Sequence, residues 1–404
     1  MRCLRALLEH VDEVHLCDTG SSDDTLELVR GVQQAHPQVN LHTDYTWKKD
    51  FAGARNHANA KCRGAWIISV DCDTVVEVSC DLRAYLAALP PEVGIVEVQN
   101  DWGASRFSFP KIYRNVADIY YKYCYHNVLH NAGNWASREL TQVCFHEKRD
   151  KSSSRARAER MHDQLSYFDR LNLEEPNDAR AWFYGARVCM DLGRHEEAIV
   201  RFQAHAERAA WREEHYVGAL YLGRCHRALE DTPRAARAWE KAFEIDTQRN
   251  EAVCELMELH KAASNYRTAL LWWSCFSPSP PARRLFVEPA WTRWRGYDSA
   301  SLVYWHLGCA EQAAALSRKA LLNHSCARIQ NNLKIYEEAA KRDCTILSTS
   351  RETTLKQCLA SGAALAERVT AGRETTAPEK AVTLLGMPTA ATTTVLVSAA
   401  PEVP

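Results

Sequence analysis

Along the first 150 residues, short apolar runs alternate with longer amphipathic stretches. Glu13 to Cys17 and Val39 to His42 are apolar enough for short strands, and Trp66 to Val70 is a third run, bounded by polar residues. Gly94 to Val98 and Arg106 to Tyr113 predict further strands. Between them, Leu4 to Leu8, Ser22 to Gln34 and Phe51 to Cys62 have helical spacing. In Ser22 to Gln34 the apolar side is Leu26, Leu28, Val29 and Val32. Alternating strand and helix predicts an α/β domain over residues 1–150 with a mainly parallel sheet. Ligands in such sheets gather at the carboxyl ends of the strands.

Residues 151–160 are polar and highly charged, and predict a link into a different architecture. From Met161 the pattern becomes helix after helix, to about residue 345. Three segments fall on one grid: Trp182, Ala186, Gly193, Ala198 and Phe202; then Gly223, Ala235, Trp239 and Ala242; then Ala269 and Trp273. Ala235 and Ala269 lie 34 positions apart, the period of a tetratricopeptide-like helical array. Small residues let paired helices approach, and the aromatics, Trp182, Phe202, Trp239 and Trp273, are expected in the core. Residues 361–404 lack aromatics and periodicity, which predicts a disordered tail.

Composition narrows the function. The formal net charge is −1 over 404 residues, so a nucleic-acid partner is not expected. Fifteen cysteines are scattered without a Cys-x-x-Cys pair, which suits a reducing, cytoplasmic setting. No signal peptide is evident, and no apolar run approaches the length of a membrane helix.

Chemistry concentrates in three places. The third strand runs into Asp71-Cys72-Asp73. If both acids stand on the strand, alternation points them the same way, and two close carboxylates call for a shared cation, Mn²⁺ or Mg²⁺. Asp18-Thr19-Gly20-Ser21-Ser22 follows the first strand. Gly20 permits a tight turn, and Ser21 or Ser22 can cap the next helix, leaving backbone N–H groups for an anion. Asp18 could accept from a ribose or a base; the plainer alternative is a turn with Asp18 bonded locally. Arg55, in Phe51-Ala52-Gly53-Ala54-Arg55-Asn56, could reach a phosphate or could be a surface arginine.

In this order, the three segments resemble the family-2 glycosyltransferases of the GT-A type, a subgroup of which carries tetratricopeptide-like helices. Phe109 to Arg114, Tyr125-His126-Asn127, Phe145-His146, Arg180 to Tyr184 and Arg284 to Glu288 extend the resemblance. It implies metal-assisted, inverting sugar transfer from a nucleotide-diphosphate sugar, UDP-linked by default, to an unknown acceptor. By the same resemblance Asp18 contacts the nucleoside and Arg55 the diphosphate. Asp71 and Asp73 meet the ribose and the metal, and His146 is a further metal ligand or a phosphate contact.

Two departures follow. The family's first strand, ending in Asn-Glu, has no counterpart here, so the domain is expected to be N-terminally incomplete, by truncation or by damage. Asn127 stands where the family often has glutamate, leaving Glu97, Asp101 and His126 as base candidates. Two other functions fit parts of the sequence. One is a catalytically impaired scaffold with a protein partner on the helical surface. The other is a haloacid dehalogenase-type phosphatase with Asp71 as nucleophile.

Overall fold

The computed structural model describes residues 2–72, 74–101, 106–147, 154–279 and 285–343. Asp73 and the expected tail, residues 361–404, lie outside the described residues. The strands are β1 (Val14–Cys17), β2 (Val39–His42), β3 (Trp66–Ile68), β4 (Thr74–Val78), β5 (Val93–Asp101), β6 (Arg106–Arg114), β7 (Ile119–Lys122), β8 (Val128–Asn131) and β9 (Ala136–Glu147). Among them lie α1 (Arg2–Leu7), α2 (Thr25–Ala35), α3 (Phe51–Asn59) and α4 (Leu82–Ala87).

The sheet is not mainly parallel. β1 and β2 pair in parallel as a separate two-stranded sheet, whereas the main sheet has the order β3-β6-β5-β9-β4. Only β5 and β9 run parallel in it; the other neighbours are antiparallel. Connection length explains one of these pairs: a parallel neighbour needs a crossover of a dozen or more residues, but four residues separate β5 from β6.

Two cores cover the main sheet. On one face, Val76, Val96, Val98, Ile112, Leu140, Val143 and Phe145 pack with Cys3, Leu7 and Leu82. On the other, Ile67, Ile95 and Tyr113 pack with Ala52, Ile119, Tyr121 and Leu129. The opposite side of α1 presents Leu4, and the turn after it Leu8, to Val29 and Val39, so this short helix and its end join the β1–β2 layer to the main sheet. In α2, Val29 is buried while Leu28 is 52% exposed, so Leu28 is not part of the buried face.

The helices behind are α5 (Ser154–Glu174), α6 (Ala179–Asp191), α7 (His195–Arg208), α8 (Arg212–Ala228), α9 (Thr232–Ile245), α10 (Asn250–Ala262), α11 (Tyr266–Ser274), α12 (Gly296–His306), α13 (Ala310–Leu321) and α14 (Ala327–Asp343). A π-turn, Trp291–Arg295, precedes α12. The charged link is partly helical, since α5 already starts at Ser154. The chain divides into two units. One holds Met1–Ala252 and Pro278–Arg293; the other takes Val253–Ser277 and resumes at Trp294.

In the first unit the repeat grid has a direct physical basis. Gly223 of α8 lies against Trp239 of α9, where a Cβ would clash with the indole ring. Trp239 is wholly buried and donates from Nε1 to the Leu220 carbonyl at 3.1 Å. Phe202 is equally buried, but Trp182 is only partly so; its Nε1 donates to the Pro176 carbonyl at 2.9 Å. In the second unit the core tryptophan of α11 is Trp272, 2% exposed, rather than Trp273. Trp273 turns instead onto Phe276 and Tyr297. Positions three and four after Ala269 both lie near its helix face, so spacing alone does not choose between them.

Within the first unit the α/β region is fastened to α5 and α6. Asp178 caps α6 by accepting from the Ala181 amide at 3.1 Å, and also accepts from the Tyr123 hydroxyl at 2.7 Å. Lys122 pairs with Glu175 at 2.9 Å, and the Cys124 amide donates to the Tyr167 hydroxyl at 3.1 Å.

Candidate functional site

Helix α3 is set by its N-terminus and by one amide. Asp50 caps it by accepting from the Gly53 amide at 2.9 Å. Asn56 then makes two 2.8 Å bonds to the backbone of Tyr121 in β7, one as donor and one as acceptor. An amide side chain thus takes the place of a neighbouring strand and fixes the rotation of α3 against the sheet. Arg55, the preceding residue, is thereby held over the Tyr121 ring, 5.2 Å from its centre.

From there the Arg55 guanidinium donates to Ser69 Oγ at 3.2 Å and to Asp71 Oδ1 at 2.5 Å. Burial opposes its charge, but Asp71 outweighs that and raises its pKa further. Its Nε is buried without a hydrogen-bond partner among the described residues. Lys111 of β6, 7% exposed, brings Nζ to 3.8 Å from the other oxygen of Asp71. Asp71 therefore lies between two cations while keeping about 41% of its side chain open. Tyr121 and Tyr113 complete the wall, and burial raises the pKa of both phenols.

Asp71 does not stand on the strand. β3 stops at Ile68, and the Thr74 amide bonds back to the Asp71 carbonyl at 3.0 Å, closing a turn. Strand alternation therefore does not govern where Asp71 points.

Asp18 follows β1 and is 8% exposed. Its carboxylate accepts from the Gly20 amide at 2.9 Å, the Ser21 amide at 3.1 Å and Ser21 Oγ at 2.5 Å. Burial raises the Asp18 pKa, yet these bonds outweigh it and hold the carboxyl below its usual value. The positive φ of 108° at Gly20 is what glycine supplies to this turn. The expected capping by Ser21 or Ser22 is absent: α2 starts at Thr25 behind Asp24. The Gly20 and Ser21 amides turn inward to Asp18 instead of standing free for an anion.

The other predicted residues occupy two further places. His146 of β9 lies between Glu77, at 3.2 Å from Nε2, and Asp101, at 3.8 Å from Nδ1. Glu97 sits at the bulge of β5, opposite Pro110 and Glu139. His126 belongs to the contact with α6. Its ring stacks on Tyr184 at 4.2 Å, and its carbonyl accepts from Arg180 at 3.2 Å. Although part of the residue stays exposed, burial and then Arg187 and Arg180 push this imidazole down to about 4.

Among the described residues, no three His, Cys, Asp or Glu side chains converge on a position for a metal ion. Sequence reasoning singled out neither Lys111 nor the amide bracket of Asn56. A lysine inside the apolar strand Phe109 to Tyr113 was the available signal for the first. It also missed the polar trio on the main sheet, where Ser108 and Gln99 both donate to Glu139, at 2.5 and 2.9 Å.

Residues 1–133 match the family model described as glycosyl transferase family 2. A TPR repeat-containing protein of Synechococcus elongatus is 31% identical over 180 residues, 41% of this chain and 43% of that protein. The chain thus spans less than half the length of that curated relative. Among solved structures, the crystal structure of MamA aligns at 16% identity with a TM-score of 0.34, over 43% of this chain and 96% of that one. The C-terminal part of a TPR repeat-containing protein from Cytophaga hutchinsonii aligns at 13% identity with a TM-score of 0.37, over 51% and 77%. No described helix is long and apolar enough to cross a membrane. The chain therefore carries an α/β region that matches the family-2 glycosyltransferases, followed by a helical, tetratricopeptide-like region.

Proposed function

We propose that the α/β region binds a nucleotide-diphosphate sugar and transfers its sugar to an acceptor. The observation that carries this reading is the meeting of two separate motif segments: Arg55, from Phe51 to Asn56, hydrogen-bonds to Asp71 inside the stretch matched by the family model. In this reading Asp71 accepts from a ribose hydroxyl with its open side. Arg55, whose Nε has no partner among the described residues, and Lys111 offer positive charge to the diphosphate. Asp18 and its turn hold the nucleoside side. Mn²⁺ or Mg²⁺ is part of the proposal, with Asp73 and Asp71 as its oxygen ligands; bound, it would offset charge on the leaving diphosphate. Asp101 and His146, already in contact, are a candidate pair for accepting the acceptor's proton.

The test is calorimetric titration of the full chain with a panel of UDP-linked sugars, with Mn²⁺ or Mg²⁺, followed by assay for donor hydrolysis. Wild type is expected to bind at least one donor, and Asp71→Asn and Arg55→Ala to weaken it about tenfold or more. A second reading, a scaffold with an impaired transferase-like region, draws on Asn127 and on the two cations already committed to Asp71. A folded wild type that binds no donor with either metal would favour the scaffold.

A further inference from the structure

Two motif segments have no part in the donor reading, Arg180 to Tyr184 and Leu285 to Glu288. They meet around one side chain. Arg187, a turn after Phe183, has its guanidinium 4.2 Å from the centre of the Phe286 ring. It also lies 5.5 Å from Tyr184 and 5.9 Å from both Phe183 and Tyr221. The loop that delivers Phe286 is fastened through its backbone: the Leu285 amide donates to Glu213 at 3.2 Å and the Glu288 amide to Glu251 at 3.1 Å. Phe286 itself has a positive φ of 49° and faces Phe183 in a near-parallel stack.

Neighbouring arginines have carboxylate partners. Arg180 pairs with Glu214, and Arg224 with Glu288 at 2.7 Å. Arg187 has neither an ion pair nor a hydrogen bond among the described residues; ring faces surround it, and Glu214, paired with Arg180, is the carboxylate that feels its charge. Rings attract the cation's face but leave its in-plane N–H fork unused. Arg187 lines a cavity of about 360 Å³, together with His126, Arg160, Gln164 and Asp191. The basic side chains of the lining are Arg187 and Arg160 and its acidic one is Asp191, with His126 neutral near pH 7.

We propose that this cavity is a receptor for a small oxyanion, a carboxylate or a phosphate group, held by the Arg187 fork with Gln164 as a neutral donor. A planar guanidinium matches either anion with two parallel hydrogen bonds, and its aromatic surround fixes the plane in advance. The site is separate from Arg55 and Asp71 and does not depend on the donor reading.

The experiment titrates the full chain, without nucleotide or metal, with inorganic phosphate and separately with glutarate, by calorimetry at pH 7. Wild type is expected to bind at least one, and the preference between them identifies the source chemistry. Arg187→Gln should weaken binding about tenfold or more, and Arg187→Lys, which keeps the charge but loses the fork, should fall between. Asp191→Asn should tighten it about threefold by removing the opposing charge. No binding to wild type, or equal binding by wild type and Arg187→Gln, overturns the proposal. Should Arg187→Gln not fold, unchanged affinity in Asp191→Asn does the same.

Discussion

Two charged centres, Asp71 in the α/β region and Arg249 in the helical array, handle charge in opposite ways. Beside β3, Asp71 is gripped by Arg55 and approached by Lys111, yet keeps an open side. In the array, Arg249 is 2% exposed and fully committed: it makes two 3.1 Å bonds to Glu251, reaches Glu213 at 3.4 Å and lies 4.0 Å from the centre of the Tyr216 ring. Tyr216 in turn donates to Glu251 at 3.2 Å and accepts from the Ala252 amide. One arrangement leaves an ionic face for something to meet, whereas the other is buried among internal partners. Charge density alone does not mark a site; what matters is whether hydrogen-bonding capacity is left over.

The sharpest break of that contrast is Arg249→Met, which strands Glu251 in the interior. It should lower unfolding free energy by about 3–5 kcal/mol in a denaturant titration. Gly223→Ala should follow, at about 1–3 kcal/mol, because the added methyl meets the rigid ring of Trp239. Asp71→Asn should change stability by under about 1 kcal/mol, since the pair it disrupts is partly solvated. A loss comparable to that of Arg249→Met would show that Asp71 serves the fold rather than a ligand.

The smallest effect is expected from His126. Its folded pKa of about 4 lies below the ordinary 6.5, so the unfolded chain binds more protons between those values. Its contribution is complete above pH 6.5 and is lost as pH falls toward 4. His126→Asn, which accepts the positive φ of 50° at this position, should flatten the decline of the unfolding midpoint over that window. Parallel curves for variant and wild type would place the imidazole outside the junction's energetics.

The sequence made the element types clear and their pairing much less so. Val39 to His42 was legible as a strand because it is short and apolar, and Ala235, Trp239 and Ala269 were legible because helix contacts need small residues beside large ones. The antiparallel turn of the main sheet was hidden, since β4 and β9 pair across some seventy residues and their partner choice leaves no local trace. Arg55 and Asp71 were each visible as chemistry. Their contact depends on Asn56 bonding to Tyr121, sixty-five positions away. Lys111 and Arg187 were hidden for a related reason: a cation's worth is decided by which groups the fold brings around it.

The loop holding Phe286 has a consequence for how this chain can vary. Two of its anchors are amides, donated to Glu213 and Glu251, so almost any residue but proline could stand at position 285 and still be held, whereas Glu288 is also tied by its side chain to Arg224. What variation has to keep is the backbone course of residues 285–288, because that course, with its positive φ at Phe286, sets where the aromatic ring stands.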